Sequence, residues 1–132
     1  MPNTKTPHRI FVVDDNYAIA SSLVSILRYK GFEDVSYFTD PQKALEAVKA
    51  KPPDLLITDV VMLPLTGLEL AMKMHETCPE CKIILFSGSP SSSQLLEIAR
   101  DEGYHFEILA KPIHPIELLA KIHLELGLAS QK

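Results

Sequence analysis

Five short apolar runs constrain this chain more than any other feature. They lie at 10–13 (IFVV), 35–38 (VSYF), 55–58 (LLIT), 82–86 (KIILF) and 106–110 (FEILA). The run at 55–58 is continuous rather than alternating, which fits a strand covered on both faces of a parallel sheet. Each run is followed by a segment with helical spacing. Asn16 caps a helix carrying Ile19, Leu23, Ile26 and Leu27, which Gly31 stops. Thr39 or Asp40 caps a second, with Pro41 at its first position and Ala44, Leu45 and Val48 on its buried face. Gly67 opens a third, to about Glu76, with a stripe of Leu68, Leu70, Ala71 and Met74. Residues 91–93 cap a fourth bearing Leu95, Leu96, Ile98 and Ala99, which Gly103 ends. Pro115 starts the last, with Ile116, Leu119, Ile122 and Leu126. Strand and helix in strict alternation predict an α/β fold, a doubly wound parallel sheet with helices on both faces. Right-handed crossovers leave few topologies, among them the flavodoxin-like order 2-1-3-4-5.

The 132 residues suffice for one core and one domain, expected over 9–128, with a flexible lead at 1–8 and a short tail at 129–132. The net charge of −4 and the lack of a basic run argue against nucleic-acid binding. No apolar run reaches spanning length, so no membrane role is expected. The N-terminus lacks a signal-like pattern, and two cysteines make no disulfide framework. A cytoplasmic protein is the expectation.

The polar residues gather at the ends of the runs. Asp14 and Asp15 follow the first, Asp59 the third, Ser87 the fourth and Lys111 the fifth. In a parallel sheet these ends share one edge, where open α/β sheets hold ligands. The order 2-1-3-4-5 sets strands one and three side by side, so Asp14, Asp15 and Asp59 would meet. Carboxylates so close repel unless a cation sits among them. Hard oxygen ligands with room for water suit Mg²⁺, with Mn²⁺ as an alternative. Lys111 and Ser87 would face the same point and form a place for an anion, most naturally a phosphoryl group.

This constellation resembles the receiver domain of two-component response regulators. The resemblance covers about 9–128 and rests on VVDD at 12–15, DVVM at 59–62, Gly67, FSG at 86–88 and AKP at 110–112. It implies that Asp59 accepts a phosphoryl group from a histidine kinase or phosphotransfer protein. Asp15 and Asp59 would ligate Mg²⁺ directly, Asp14 through water, and the Val61 backbone carbonyl would add a ligand. Lys111 and Ser87 would contact the phosphoryl oxygens, and Lys111–Pro112 would be a cis peptide. The resemblance further implies a signalling module rather than an enzyme, acting only on its own phosphorylation and dephosphorylation. Its output would be a protein target on the surface of helix 4, strand 5 and helix 5, and homodimerisation on phosphorylation is one form that output could take. Two other readings stay open: a phosphorylation-independent interaction module of the same fold, and a Mg²⁺-dependent phosphohydrolase. The hydrolases that look similar place a second Asp two residues after the nucleophile, where this chain has Val61.

Several positions depart from the family pattern. The switch aromatic expected three residues before the lysine is Ile108, with Phe106 two residues earlier on the same sheet face. Leu63 intervenes before Pro64, and the loop at 103–106 is about one residue longer than common forms. Val61 and Ser89 would flank the path of the hydrolytic water. Val61 offers that water no side-chain hydrogen bond, so Val61→Asn should shorten the lifetime of the phosphorylated protein. Following decay of the labelled protein tests this, and a longer lifetime in the variant contradicts it. Cys78 and Cys81 form a CxxC after His75 and read as two ordinary loop thiols. His114 reads as a cap, His123 as surface, and Met62, Met72 and Met74 as packing.

Overall fold

The structure, a computed structural model, describes residues 8–62, 65–88 and 90–128, the side chains of residues 90 and 91 excepted. The lead at 1–7, Leu63, Pro64, Ser89 and the tail at 129–132 lie outside the described residues, and so do the expectations placed on them. The elements run β1 (Arg9–Val13), α1 (Tyr17–Tyr29), β2 (Asp34–Phe38), α2 (Pro41–Ala50), β3 (Leu55–Asp59), α3 (Gly67–Thr77), β4 (Lys82–Ser87), α4 (Pro90–Asp101), β5 (Glu107–Ala110) and α5 (Pro115–Leu126). The five strands form one sheet in the order β2-β1-β3-β4-β5, and every pair is parallel.

Alternate residues of each strand feed two cores, because successive side chains leave opposite faces of a sheet. On one face Phe11, Val13, Leu56, Ile83 and Leu85 pack with Ala44 and Val48 of α2, Leu70 and Met74 of α3, and Leu96 and Ala99 of α4. On the other, Ile10, Val12, Leu55, Ile57, Ile84, Phe86 and Leu109 pack with Leu23 and Leu27 of α1 and Leu118 and Ile122 of α5. Each such side chain removed from water contributes about 1.5–3 kcal/mol before entropy is counted. The central strands β1, β3 and β4 are covered on both sides, which is why their runs do not alternate.

Local chemistry fixes where the helices begin. Asn16 accepts from the Ile19 N–H, and Asp40 from the Gln42 N–H ahead of Pro41. α3 opens at Gly67 as expected, and Thr66 and Glu69 cap it reciprocally in a T-x-x-E box. α4 starts at Pro90, one residue ahead of the serines expected to cap it, since proline suits a first helical position. His114 occupies the N-cap position of α5 but makes no side-chain cap bond. At the edge where strands begin, Asp54 ties β1, β3 and β4 together. Its side chain accepts from the Arg9 N–H at 2.7 Å, and its carbonyl from the Lys82 N–H at 2.9 Å.

The CxxC departs from expectation. Cys78 and Cys81 are joined in a disulfide, with Cα atoms 5.7 Å apart, and are not two free thiols. Cys78 is the C-cap of α3 and Cys81 directly precedes β4. The turn between them brings their Cα atoms into bridging range.

Candidate functional site

The opposite edge, where the strands end, gathers the charged residues. Asp14 directly follows β1, beside the last residue of β3, and Lys111 directly follows β5. Asp14, Asp15 and Asp59 each present a carboxylate oxygen within 4.8 Å of the others. Lys111 Nζ lies 3.3 Å from Asp59 Oδ2 and 3.6 Å from Asp14 Oδ2. A cavity of about 270 Å³ opens beside them, lined by Asp59, Val61, Gly88, Ser92 and Lys111.

Exposure differs sharply among the acids. Asp14 is 1% exposed, whereas Asp15 is exposed and Asp59 lies between them. Asp14 Oδ1 accepts from the Asn16 N–H at 2.9 Å, but its buried Oδ2 has no hydrogen-bond donor among the described residues. Burial pushes the Asp14 carboxyl above its ordinary value. The Asn16 N–H and Lys111 pull it back, while Asp59 and Asp15 add to the rise. An orphaned, buried carboxylate oxygen facing two further carboxylates is the environment that a hard divalent cation satisfies. The residues present therefore fit such an ion.

Backbone contacts hold this arrangement. The Gly67 N–H donates to Val60 O at 2.8 Å, and the Thr58 hydroxyl to Asp59 O at 3.0 Å. A Cβ on Gly67 would sit 1.6 Å from Asp59 O, so only glycine admits α3 this close to the strand end. The Lys111 N–H donates to Ser87 O at 3.0 Å, and the Lys111–Pro112 peptide is cis. A Cβ on Gly88 would come within 3.1 Å of the Lys111 stem, so Gly88 leaves the lysine its path to the carboxylates.

Ser87 and the β5 residues sit differently. The Ser87 and Ser92 hydroxyls share a hydrogen bond of 2.8 Å, so the β4 hydroxyl is tied to the first turn of α4. Ser92 is 1% exposed and lines the cavity, a place that its serine run did not reveal. Ile108 pairs with Leu85 in register and packs, like Phe106, against the α2–α3–α4 core. Phe106 precedes β5 rather than starting it. Its ring stacks on Tyr104 at 5.8 Å and meets His75 edge-on at 6.4 Å, at the edge of the sheet away from the acids.

Sequence and fold comparisons agree on the family. Residues 10–123 match the response regulator receiver domain. The chain is 32% identical over 116 residues to the response regulator MprA of Mycolicibacterium vanbaalenii, covering 88% of this chain and 49% of that protein. It thus spans about half the length of that relative. It is 31% identical to the response regulator receiver protein CpdR of Brucella abortus, over 86% of this chain and 92% of CpdR. Among solved structures, a CheY-like response regulator receiver domain protein from Methanospirillum hungatei superposes with a TM-score of 0.80 at 28% identity, over 92% of this chain and 95% of that one. With the sheet order, the acidic edge and these likenesses in agreement, the chain belongs to the response regulator receiver domain family.

Proposed function

We propose that this receiver is a phosphorylation switch in which Asp59 accepts the phosphoryl group of a phosphohistidine on a histidine kinase or phosphotransfer protein. The observation that carries the reading is Lys111 Nζ poised at 3.3 Å from Asp59 and 3.6 Å from Asp14, with the three carboxylates converging beside it. An Asp59 carboxylate oxygen attacks phosphorus and forms an acyl phosphate. The phosphorus–nitrogen bond breaks, and the imidazole leaves and takes up a proton. Such transfers depend on positioning and charge neutralisation more than on covalent help. Lys111 offsets the charge on the incoming oxygens. Asp14, Asp15, Asp59 and the Val61 carbonyl would hold Mg²⁺, with Mn²⁺ as a substitute. When bound, that ion supplies positive charge toward the phosphoryl oxygens.

The switch then turns on Ser87. Its hydrogen bond to Ser92 must be exchanged for one to the phosphoryl group, which draws on the start of α4. Phe106 is engaged by Tyr104 and His75, which supports a switch that leaves Phe106 in place and repacks Ile108 without a ring. The altered surface of α4, β5 and α5 would meet a protein target, or a second copy of the chain. Among the described residues no helix is long and apolar enough to cross a membrane. A cytoplasmic location goes with kinases of this kind.

Intact mass after incubation with acetyl phosphate and Mg²⁺ tests the reading. The wild type should gain one phosphoryl group, and Asp59→Ala should gain none. Equal modification of both proteins places the acceptor elsewhere. No modification of the wild type favours the phosphorylation-independent module.

A further inference from the structure

We propose that Cys78 and Cys81 form a reversible dithiol–disulfide site, which latches the end of α3 to the start of β4. The inference is independent of the phosphoacceptor reading, because the pair lies at the opposite edge of the sheet. Its backbone is held at bridging distance by contacts other than the disulfide. The Cys78 N–H donates to Met74 O at 2.7 Å, the Cys81 N–H to Cys78 O at 3.1 Å, and the next residue, Lys82, donates to Asp54 O at 2.9 Å. The Cα separation of 5.7 Å lies in the middle of the range a disulfide spans. Reduced and oxidised forms can therefore share one backbone, and the two thiols meet at high effective concentration.

Small reagents have a route to the pair. Both cysteines line a cavity of about 170 Å³ with Pro52, Pro53, Asp54 and Glu80. Cys81 is 8% exposed, whereas Cys78 is only partly buried, which makes Cys78 the side from which a reagent would approach. A thiolate of an external thiol attacks the Cys78 sulfur, breaks the bond to Cys81 and leaves a mixed disulfide. A second external thiolate displaces Cys78. The net change is two Cys thiols formed and two external thiols joined as a disulfide, and a small-molecule disulfide drives the reverse.

The position argues for a latch rather than for redox catalysis. The pair sits at the C-terminal end of α3, where the helix dipole opposes a thiolate, with Glu76 and Glu80 close in sequence. Oxidoreductase cysteines gain reactivity from helix N-termini and neighbouring cations. Here the disulfide closes a short loop between two elements that both run to the acidic edge. α3 begins against Asp59, and β4 ends at Ser87.

The test equilibrates the native full chain in glutathione buffers of graded ratio, quenches, alkylates and reads intact mass. The expected result is two populations, unlabelled and doubly labelled, that interchange across the series. Double labelling in the most oxidising buffer overturns the proposal, because the cysteines are then ordinary thiols. Persistent lack of label with excess dithiothreitol, relieved only by denaturant, overturns it too, because the bridge is then permanent. Dithiothreitol should also lower the melting temperature of the wild type by roughly 5–10 °C and leave a Cys78→Ser/Cys81→Ser variant unmoved. Equal melting of the wild type in both states contradicts the latch.

Discussion

Gly67→Ala should destabilise the protein by about 4 kcal/mol or more, well beyond an ordinary substitution. The cause is geometric. The added Cβ would lie 1.6 Å from Asp59 O, 2.7 Å from Asp59 C and 2.8 Å from Thr58 Oγ1. None of these is the loose end of a side chain. The Asp59 carbonyl is fixed by the strand it closes and by the Thr58 hydroxyl, and the Gly67 N–H is bonded to Val60 O. Relief requires α3 to back away, and its buried Leu68, Leu70, Ala71 and Met74 leave the core with it. Urea unfolding of wild type and variant measures the cost. A variant within about 1 kcal/mol of wild type would mean that the strand end and α3 are not locked together. A variant that folds by shifting the loop should also lose the phosphoryl acceptance proposed for Asp59, because Asp59 sits on the displaced backbone.

The same contact explains how much could be read from sequence. The strands and the edge they share follow from apolar runs broken by helix signals, and the order 2-1-3-4-5, one of the few topologies these allow, brings Asp14, Asp59 and Lys111 together. These features are periodic or sit at element ends, where sequence carries strong local signals. The Thr66–Glu69 box is a local pattern of the same kind, and it caps the helix that Gly67 opens. The place of the Phe106 ring depended on tertiary packing. Its partners Tyr104 and His75 come from the β5 approach and from α3, and only the packed fold sets their rings together. Ser92 was hidden for a similar reason. A serine in a run of serines reads as a helix start, and its bond to Ser87 depends on how α4 leaves the sheet. The Cys78–Cys81 bridge was legible as a spacing but not as a bond, because CxxC alone does not fix the turn between its cysteines.

Lys111→Met should cost the metal-free protein about 2 kcal/mol at neutral pH and make it more stable in mild acid than at pH 8. Methionine keeps most of the apolar stem that packs beside Gly88 and removes the charge. Asp14 and Asp59 are then left without their cation, Asp14 with a buried oxygen that has no hydrogen-bond donor among the described residues. The cost falls below that of breaking a fully buried pair, because the Lys111 side chain is 26% exposed. The direction with pH follows from the Asp14 carboxyl. Burial raises it above 3.8, so the folded state holds its proton to higher pH than the unfolded chain does. Stability therefore falls as pH rises from 3.8 through the raised value. Lys111 counters that rise, so its loss extends the window upward and deepens the deficit at neutral pH. Mg²⁺ at about a hundred times its dissociation constant stabilises a folded protein by about 2.7 kcal/mol, enough to offset the deficit. Denaturant titrations at pH 5 and 8, with and without Mg²⁺, separate these effects. If Lys111→Met matches wild type at pH 8 without Mg²⁺, the lysine does not compensate the carboxylates. If Mg²⁺ stabilises neither protein, the acids do not form a metal site, because an ion held by Asp14, Asp15 and Asp59 must favour the fold that assembles them.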